Sequence, residues 1–284
     1  MKSNKTVKII IFTALFLSAV ILISVMTGAV KETTADTDSV KLPVIMYHSL
    51  LKDEKLQNDY TVSPTLFEND LKYLTENGYT TVVVKDLTDY VYGKKSLPEK
   101  CIMLTFDDGY YFNKTYAMPL LEKYGFPALF AIVGEYTKFN KNNPKVSKTY
   151  TYFDFEDVTE INRSKYVEIA AHSYYLHHFG KRQGVKIKKY EDKTAYCEML
   201  EKDTRLLEKS LLQAGVRPRV YAYPFGAYCA ESEQVIKRLG YEMSLTCNEG
   251  INCVKNPENL FLLKRLNRSG TGKSVEAMFA EYGY

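Results

Sequence analysis

The stretch CIMLTFDDGY, from Cys101 to Tyr110, decides the fold class that we predict for this chain. Mostly apolar residues lead up to Thr105 and Phe106, and two adjacent acids and a glycine follow at once. This pattern is typical of a buried strand that ends in a pair of carboxylates and a turn. Because parallel sheets collect ligands at the carboxyl ends of their strands, Asp107 and Asp108 predict a site for metal or proton chemistry.

Predicted strands and helices alternate about seven times, which favours parallel strands joined by crossover helices. Several strands end in residues capable of chemistry: His48, Asp107, Asp108, His172 and the turn Tyr223-Pro224-Phe225-Gly226. Groups at the ends of different strands are typical of a (β/α) barrel, whereas an open sheet concentrates them at one switch point. We therefore predict an α/β fold, a distorted (β/α) barrel of about seven strands.

Some element boundaries are predicted from local signals. Ser63-Pro64 predicts the start of a helix, because serine is a good N-cap and proline suits the first helical position. Residues 134–150 are rich in Lys, Asn and Thr and predict a surface loop. The apolar run Leu260–Leu266 predicts the last strand, and Ser274–Phe279 predicts a closing helix.

The beginning of the chain predicts a membrane-targeting segment. Residues 9–30 carry no charge, and three lysines precede them within residues 1–8. A run of this length favours a transmembrane anchor with a cytoplasmic tail over residues 1–8 and a polar linker over residues 31–41. A cleavable signal stays open, because Thr27-Gly28-Ala29 supplies small residues at the end of the run. Both alternatives export the remainder, either anchored in the cell membrane or secreted.

The charge balance excludes an obvious nucleic-acid-binding surface. The chain of 284 residues has 38 basic and 34 acidic residues, and residues 1–30 hold three of the bases and no acid. The remainder is close to neutral, so no nucleic-acid partner is expected. The 24 tyrosines suit a sugar-facing surface or an ordinary core equally well.

Five cysteines raise the question of disulfides, because pairs can be oxidised in an exported protein. Cys247 and Cys253 flank the polar stretch NEGIN and are the pair that we predict. An odd number leaves at least one thiol free or in an intermolecular bridge.

The histidines predict a metal site. The chain has four, and three of them lie in AHSYYLHHFG, directly after a predicted strand. Imidazole and carboxylate groups together are the usual ligands of a catalytic zinc ion. His172 and His177 are five residues apart, so a loop rather than a helix face would bring both to one ion. The alternative is a surface histidine cluster without function.

The two adjacent acids cannot share one role, because neighbouring side chains on an extended chain point in opposite directions. One can bind the metal while the other acts as a general base. The alternatives are an ordinary Asp-Asp-Gly turn and a glycosidase. A glycosidase requires two carboxyl groups that face each other across a sugar, and so would need a further acid.

The motif TFDDG, followed some sixty residues later by HSYYLH, resembles the polysaccharide deacetylases of carbohydrate esterase family 4, the NodB-homology family. The resemblance covers residues 42–284, which it implies form the deacetylase domain, and it is strongest over residues 99–245. It implies that Asp107 is the catalytic base. It also implies three ligands for zinc, or for another divalent metal such as cobalt or nickel: Asp108, His172 and His177.

The tract VYAYPFGAY resembles the third motif of the family, which forms one side of the substrate groove. The resemblance implies that residues Tyr223, Pro224, Phe225 and Gly226 shape the groove. It also implies that a backbone N–H near Phe225 helps to hold the oxyanion, the preorganised donor that a tetrahedral intermediate requires.

Three features depart from the common family pattern. The five-residue spacing of the histidines is closer to that of exported poly-N-acetylglucosamine deacetylases than to the common spacing of four. Ala222 stands where many members carry the arginine that orients the base, so this support is either missing or comes from another residue, with Arg219 and Arg265 as candidates. No histidine follows His178, whereas the common family has a late histidine as general acid. Ile45-Met46-Tyr47-His48 resembles the circularly permuted arrangement of the poly-N-acetylglucosamine deacetylases, which makes His48 the candidate acid.

The resemblance therefore implies a metal-dependent hydrolase that removes N-acetyl groups from N-acetylglucosamine units of an extracellular or cell-wall polysaccharide and releases acetate. Two alternatives stay open: an O-acetyl sugar esterase, and a catalytically inactive glycan-binding relative, which Ala222 keeps in consideration. Poly-N-acetylglucosamine, peptidoglycan and chitin-like chains all fit as the polymer.

Overall fold

A parallel sheet of seven consecutively paired strands lies at the centre of the computed structural model, which describes residues 39–140 and 151–284. The strands are β1 (Val40–Leu42), β2 (Val44–Tyr47), β3 (Ser49–Leu50), β4 (Thr61–Val62), β5 (Thr80–Thr81), β6 (Cys101–Phe106), β7 (Ala128–Ile132), β8 (Val167–Ala171), β9 (Val220–Ala222), β10 (Met243–Leu245), β11 (Asn252–Val254) and β12 (Leu266–Asn267). The helices are α1 (Pro64–Glu76), α2 (Val84–Val91), α3 (Met118–Tyr124), α4 (Gly134–Asn140), α5 (Phe155–Ile161), α6 (Lys193–Gln213), α7 (Ala230–Arg238) and α8 (Val275–Glu281).

The sheet order is β10-β9-β8-β7-β6-β2-β12, and β5 adds a further parallel pairing with β6. The sheet curls into a half-barrel. The segment before β12 returns to the opposite edge, where Thr246 N–H donates to the Leu263 carbonyl and Leu245 bridges Leu263. The predicted parallel α/β architecture of about seven strands is therefore confirmed, with a half-barrel as its form.

The register of the strands decides which residues meet at the carboxyl edge. Tyr47 pairs with Phe106, Phe106 pairs with Phe130, and Ile132 pairs with Ala171. The residues that follow β2, β6 and β8 therefore emerge at one edge of the sheet. Those residues are His48, Asp107 and His172.

Both faces of the sheet are buried, as expected for parallel strands covered by helices. In β6, Ile102, Leu104 and Phe106 belong to the apolar cluster that includes residues of the helices α1 and α6. Cys101 and Met103 alternate with them and belong to a second cluster, with residues of β7, β9 and β10. This alternation fixes the orientation of the strand that carries the two acids.

The predicted helix start at Ser63-Pro64 is confirmed. Ser63 Oγ accepts a hydrogen bond from Leu66 N–H at 3.1 Å, and Pro64 is the first helical residue. Ser274 caps α8 in the same way, so the closing helix is confirmed as well.

Two other segment predictions are wrong. Residues 134–140 form α4 rather than a loop, and residues 141–150 lie outside the described part of the chain. The run 260–266 holds the end of a 3-10 turn (Pro257–Leu260) and only the first residue of β12. The apolar residues Leu260 and Leu263 are buried as predicted, but as part of an irregular segment.

Residues 40–284 form a compact unit, and the first strand begins two residues before the predicted domain start at residue 42. Val40 and Lys41 pair with β11 rather than belonging to a linker. The predicted tail, anchor and most of the linker lie outside the described residues. Among residues 39–140 and 151–284, no helix combines the length and apolar character needed to cross a membrane.

All five cysteines are free, so the predicted Cys247–Cys253 disulfide is wrong. Cys247 is packed beside Arg265 and Met46, whereas Cys253 is exposed on β11. The two residues flank a loop in the sequence, but their side chains have different surroundings.

Candidate active site

A cavity of about 540 Å³ opens at the carboxyl edge of the sheet. Six of the residues predicted to be functional line it: His48, Asp107, Asp108, His172, His177 and Phe225. The sheet register explains the meeting of the strand-end residues, and two loops supply His177 and Phe225. The predicted cluster therefore exists in three dimensions.

Asp107 forms a buried ion pair with Arg265. Arg265 donates from Nη1 to Oδ1 and from Nη2 to Oδ2, each at 2.7 Å. The guanidinium is fixed in turn, because its Nε donates to the Thr246 carbonyl at 2.7 Å. Arg265 is completely buried and Asp107 is 2% exposed. A bidentate pair of this kind fixes the plane of the carboxylate.

Arg265 therefore provides the support for Asp107 that Ala222 cannot. Burial alone would raise the pKa of Asp107, but the Arg265 guanidinium and His172 hold it below its ordinary value. The carboxylate stays ionised and oriented toward the cavity. The other candidate, Arg219, lies elsewhere, because its guanidinium is paired with Glu242.

Asp108 turns away from Asp107 because its backbone is left-handed, with φ of 70°. This conformation is strained for a residue other than glycine, and such strain is found most often at functional sites. Gly109 follows with φ of 75°, which glycine adopts without strain. The turn brings Asp108 Oδ1 to 3.0 Å from His177 Nε2 and 3.5 Å from His172 Nε2.

The hydrogen-bond partner of His172 shows which of its two ring nitrogens carries the hydrogen. His172 Nδ1 is 2.7 Å from the Ala222 carbonyl, which can only accept a hydrogen bond, so Nδ1 carries the hydrogen. In the neutral ring Nε2 is then a bare lone pair that faces a carboxylate. Ala222 stands where the sequence resemblance leads us to expect an arginine. It contributes to the site through its backbone carbonyl, which accepts the hydrogen bond from His172.

Asp108, His172 and His177 fit a divalent metal ion. Their ligand atoms lie within 4.8 Å of one another, and Asp108 Oδ1 is buried beside the two ring nitrogens. Burial would raise the pKa of Asp108, yet the two imidazoles hold it well below its ordinary value. A carboxylate and two imidazole nitrogens that converge form a ligand set that suits zinc and similar ions.

The loop between the two histidines is shaped by Asp203 of α6. Its carboxylate oxygens accept hydrogen bonds from Tyr174 N–H and Tyr175 N–H, both at 2.8 Å. Ser173 has φ of 68°, which reverses the chain directly after His172. These contacts explain how a five-residue spacing brings His177 back to Asp108. Asp203 was not predicted, because nothing in its helical sequence marks it.

His48 directly follows β2, the strand next to β6, and is held through its backbone. Its carbonyl accepts a hydrogen bond from Asn113 Nδ2 at 2.6 Å, and its ring packs edge-on against Tyr60 with 5.0 Å between centroids. Burial lowers the pKa of His48, although Asp108 and Asp107 oppose this shift. Its Nδ1 is buried and has no hydrogen-bond partner among the described residues.

The YPFG turn places Phe225 against the site. Phe225 has φ of 57°, and its ring lies 4.4 Å from the His177 ring and 3.9 Å from the Phe179 ring. A Cβ on Gly226 would come within 2.5 Å of Cys247 N, so the turn requires glycine there. Tyr223 and Pro224 are buried and do not line the cavity.

Exposed aromatic residues at the mouth of the cavity were missed by the sequence prediction. Tyr60 is 59% exposed and Phe179 is 69% exposed, and both line the cavity. The abundance of tyrosine indicated a sugar-facing surface but not which rings form it.

A family model described as polysaccharide deacetylase matches residues 94–244, more than half of the chain. The chain belongs to the polysaccharide deacetylase family. The matched segment contains Asp107, Asp108 and both histidines of the candidate metal site, while His48 and Arg265 lie outside it. The resemblance drawn from the sequence motifs is therefore confirmed at the level of the family.

Two relatives of this chain are named poly-β-1,6-N-acetyl-D-glucosamine N-deacetylase. The protein from Escherichia coli (strain K12) is 28% identical over an alignment 228 positions long, which covers 73% of this chain and 34% of that protein. The chain thus spans about a third of the E. coli relative. The protein from Staphylococcus aureus (strain MSSA476) is 26% identical over 84% of this chain and 86% of its own length.

Among solved structures, a de-N-acetylase from Aggregatibacter actinomycetemcomitans superposes with a TM-score of 0.72 at 26% identity. The match covers 84% of this chain and 99% of that chain. The shared fold includes the curled parallel sheet that carries the candidate site.

Proposed function

We propose that this deacetylase hydrolyses the N-acetyl groups of N-acetylglucosamine units in a polysaccharide outside the cell, and that a poly-β-1,6-linked chain is its substrate. The observation that carries the proposal is the cavity in which a buried, arginine-held Asp107 faces an Asp108/His172/His177 metal set and His48. The names of the E. coli and S. aureus relatives support the choice of polymer.

In this proposal, Asp108, His172 and His177 serve to bind a metal ion. A divalent ion, zinc by preference, would be held by Asp108, His172 and His177. Such an ion polarises the acetyl carbonyl and stabilises the negative charge that develops on its oxygen. The Phe225 backbone N–H is proposed as a second donor to that oxygen, since Phe225 packs directly on His177.

Asp107 is proposed as the general base. Its carboxylate is kept ionised by Arg265 and oriented by two equal hydrogen bonds, so it can accept a proton from the attacking water. Because both oxygens already accept from Arg265, the proton would have to arrive along a lone-pair direction that Arg265 leaves open. Arg265 thus restricts the base to one geometry.

His48 is proposed as the general acid that protonates the departing amine. It lines the same cavity as Asp107 and the histidine pair, at the end of β2, the strand next to β6. The donor is its imidazolium form: burial lowers its pKa and so makes that form a stronger acid, while the nearby Asp108 and Asp107 carboxylates oppose this shift. The proton that Asp107 removes from water balances the proton that the amine gains, and the products are acetate and a free amino sugar.

The proposal is tested by acetate release from a panel of polymers by the zinc-loaded protein. The panel contains poly-β-1,6-N-acetylglucosamine, peptidoglycan and chitin oligomers, together with an O-acetylated oligosaccharide. We expect release from the N-acetylated β-1,6 polymer, and none from the same polymer after chemical deacetylation. Release from the O-acetylated sugar alone would replace the proposal with a sugar esterase, and no release from any glycan would overturn the enzymatic function.

The location outside the cell is part of the proposal. It is supported by the uncharged run at residues 9–30 and by the polymeric substrate of the named relatives. Fractionation of cells that express the full chain, followed by protease treatment of intact cells, tests it. We expect the deacetylase in the membrane fraction and accessible to protease, or in the medium if the segment is cleaved.

A further inference from the structure

A tyrosine outside the matched sequence motifs contacts one of the proposed metal ligands. Tyr136 lies in the first turn of α4, within the segment that the sequence predicts as a loop. Its hydroxyl is 3.0 Å from the His177 carbonyl oxygen and 3.0 Å from His177 Nδ1. The ring also packs edge-on against the His177 ring, with 5.4 Å between centroids.

The direction of these two hydrogen bonds follows from the donors and acceptors available. A tyrosine hydroxyl has one hydrogen, and a carbonyl oxygen can only accept, so the Tyr136 hydroxyl donates to the His177 carbonyl. Its lone pair is then left for His177 Nδ1, which must carry a hydrogen and donate it. In a neutral ring His177 Nε2 is therefore the bare nitrogen, and it faces Asp108 Oδ1 at 3.0 Å.

The Tyr136 side chain thus accepts a hydrogen bond from His177 Nδ1, as the Ala222 backbone carbonyl does from His172 Nδ1. A partner on the second nitrogen fixes both the tautomer and the orientation of a ligand imidazole. The two histidines differ in how easily this support can be removed. The carbonyl of Ala222 belongs to β9, whereas the support of His177 depends on one hydroxyl group.

The position of Tyr136 is itself fixed by packing. Its ring lies 4.5 Å from the Tyr152 ring, and Tyr152 stacks on Tyr110 at 5.0 Å. At the start of α4, Gly134 lies so close to Tyr174 that a Cβ would come within 2.4 Å of the Tyr174 ring. The helix that carries Tyr136 is therefore held against the loop that carries His177, which makes a direct hydrogen bond possible.

We propose that Tyr136 is a positioning residue for the metal site: its hydroxyl selects the His177 tautomer whose Nε2 is free to bind a divalent ion. The inference rests on the proposed metal-dependent function, since it assigns a role toward the same ion. Tyr136 does not line the cavity and is not proposed to touch substrate.

The test uses Tyr136→Phe, which keeps the ring and removes the hydroxyl. The dissociation constant for zinc is measured on the metal-stripped full chain by competition with a chromophoric chelator. We expect the constant to rise by about 10-fold to 100-fold, the usual effect of losing such a partner. Tyr152→Phe is the matched control, because it removes a hydroxyl from the ring packed on Tyr136 but not from a contact with His177. Its zinc affinity should equal that of the wild type.

A second measurement reads the tautomer without any metal. Long-range ¹H–¹⁵N spectra of the stripped protein should show His177 protonated on Nδ1 in the wild type and on Nε2, or on a mixture of both, in Tyr136→Phe. Equal thermal unfolding of the two stripped proteins shows that the fold is intact. Unchanged zinc affinity, or an unchanged His177 tautomer, in a folded Tyr136→Phe would overturn the proposal. Wild-type protein that binds no zinc would instead refute the metal site of the proposed function, and the tautomer spectra would still decide the role of Tyr136.

Discussion

Two arginines in the last part of the chain, Arg265 and Arg268, each form a buried ion pair with an aspartate. The two pairs differ in their surroundings. Arg265, just before β12, holds Asp107 at the wall of the cavity. Arg268, just after β12, donates from Nε to Asp70 of α1 at 2.8 Å and lies outside the lining of the cavity. All four side chains are at most 4% exposed. The same kind of ion pair thus lies once at the wall of the cavity and once within the core.

The surroundings of the two aspartates shift their pKa values in opposite directions. Burial raises the pKa of Asp70 above its ordinary value, and Arg268 and Tyr47 compensate only in part. Burial has the same tendency at Asp107, but Arg265 and the histidines outweigh it and lower the pKa. The comparison teaches that a buried arginine alone does not make a base. The positive groups around the cavity are what keep Asp107 ionised.

The largest expected difference is in activity. Asp107→Asn should reduce acetate release by about a thousandfold, the size of a general-base contribution, because an amide cannot accept the proton. Asp70→Asn breaks the other pair and should leave kcat/KM within a fewfold of the wild type in molecules that are folded. Steady-state acetate release, normalised to folded protein by circular dichroism, measures both. A comparable loss in Asp70→Asn would show that the two pairs do not have separate roles.

The arginines provide the next test. Arg265→Gln and Arg268→Gln each leave a buried carboxylate without its partner, so each should lower the free energy of unfolding by about 3–5 kcal/mol. In Arg265→Gln the pKa of Asp107 should also rise, because burial is no longer opposed by the guanidinium. On acidification, its kcat/KM should therefore begin to fall at a higher pH than that of the wild type. The acid limb of the pH–rate profile of Arg268→Gln should match that of the wild type. Urea unfolding and pH–rate profiles separate the two effects, and identical acid limbs in both variants would argue against Arg265 as the support of the base.

The pH dependence of stability should differ in sign between the pairs. A lowered folded pKa means that Asp107 contributes stability that is present above its ordinary pKa and is lost as the pH falls through the folded value. A raised folded pKa means that Asp70 binds a proton more readily in the folded protein, so acidification through that value adds stability. The stability advantage of the wild type over Asp70→Asn should therefore grow from about pH 7 to about pH 4. A constant or shrinking advantage in urea titrations across this range would contradict the raised pKa.

The smallest effect is expected from Tyr47→Phe. The Tyr47 hydroxyl donates to Asp70 Oδ2 at 3.0 Å, and its removal leaves Arg268 in place, so the cost should be about 1 kcal/mol. Although Tyr47 directly precedes His48, its ring packs on Phe67 and Phe106 in the core, and kcat/KM should not change. A lower kcat/KM in the folded variant would show that the Asp70 pair does position His48.

Much of the candidate site could be predicted because strand ends are local features. TFDDG and HSYYLH each follow a buried strand, and the parallel register then brings them to one edge without further information. Arg265 could be named only as one of two candidates, since it lies 158 residues from Asp107 and reaches it across the curl of the sheet. Its selection over Arg219 depends on tertiary structure, which local pattern does not encode.

Other parts of the site were not predictable for similar reasons. Tyr136 was not predicted, because a polar segment rich in Lys and Asn is typical of a loop, although its first seven residues form α4. Asp203 stabilises the loop between His172 and His177 from the middle of a long helix, where an aspartate has no distinguishing signal. The predicted disulfide was wrong because proximity in sequence does not orient two thiols toward each other.

The central claim is that two adjacent aspartates have separate roles, with Asp108 as a metal ligand and Asp107 as a base held by Arg265. Anomalous diffraction at the zinc edge from crystals of the zinc-loaded protein tests this most directly. The account predicts a peak bounded by Asp108, His172 and His177, with both Asp107 oxygens still bonded to Arg265. A peak coordinated by Asp107, or the absence of zinc from this cluster, would contradict it.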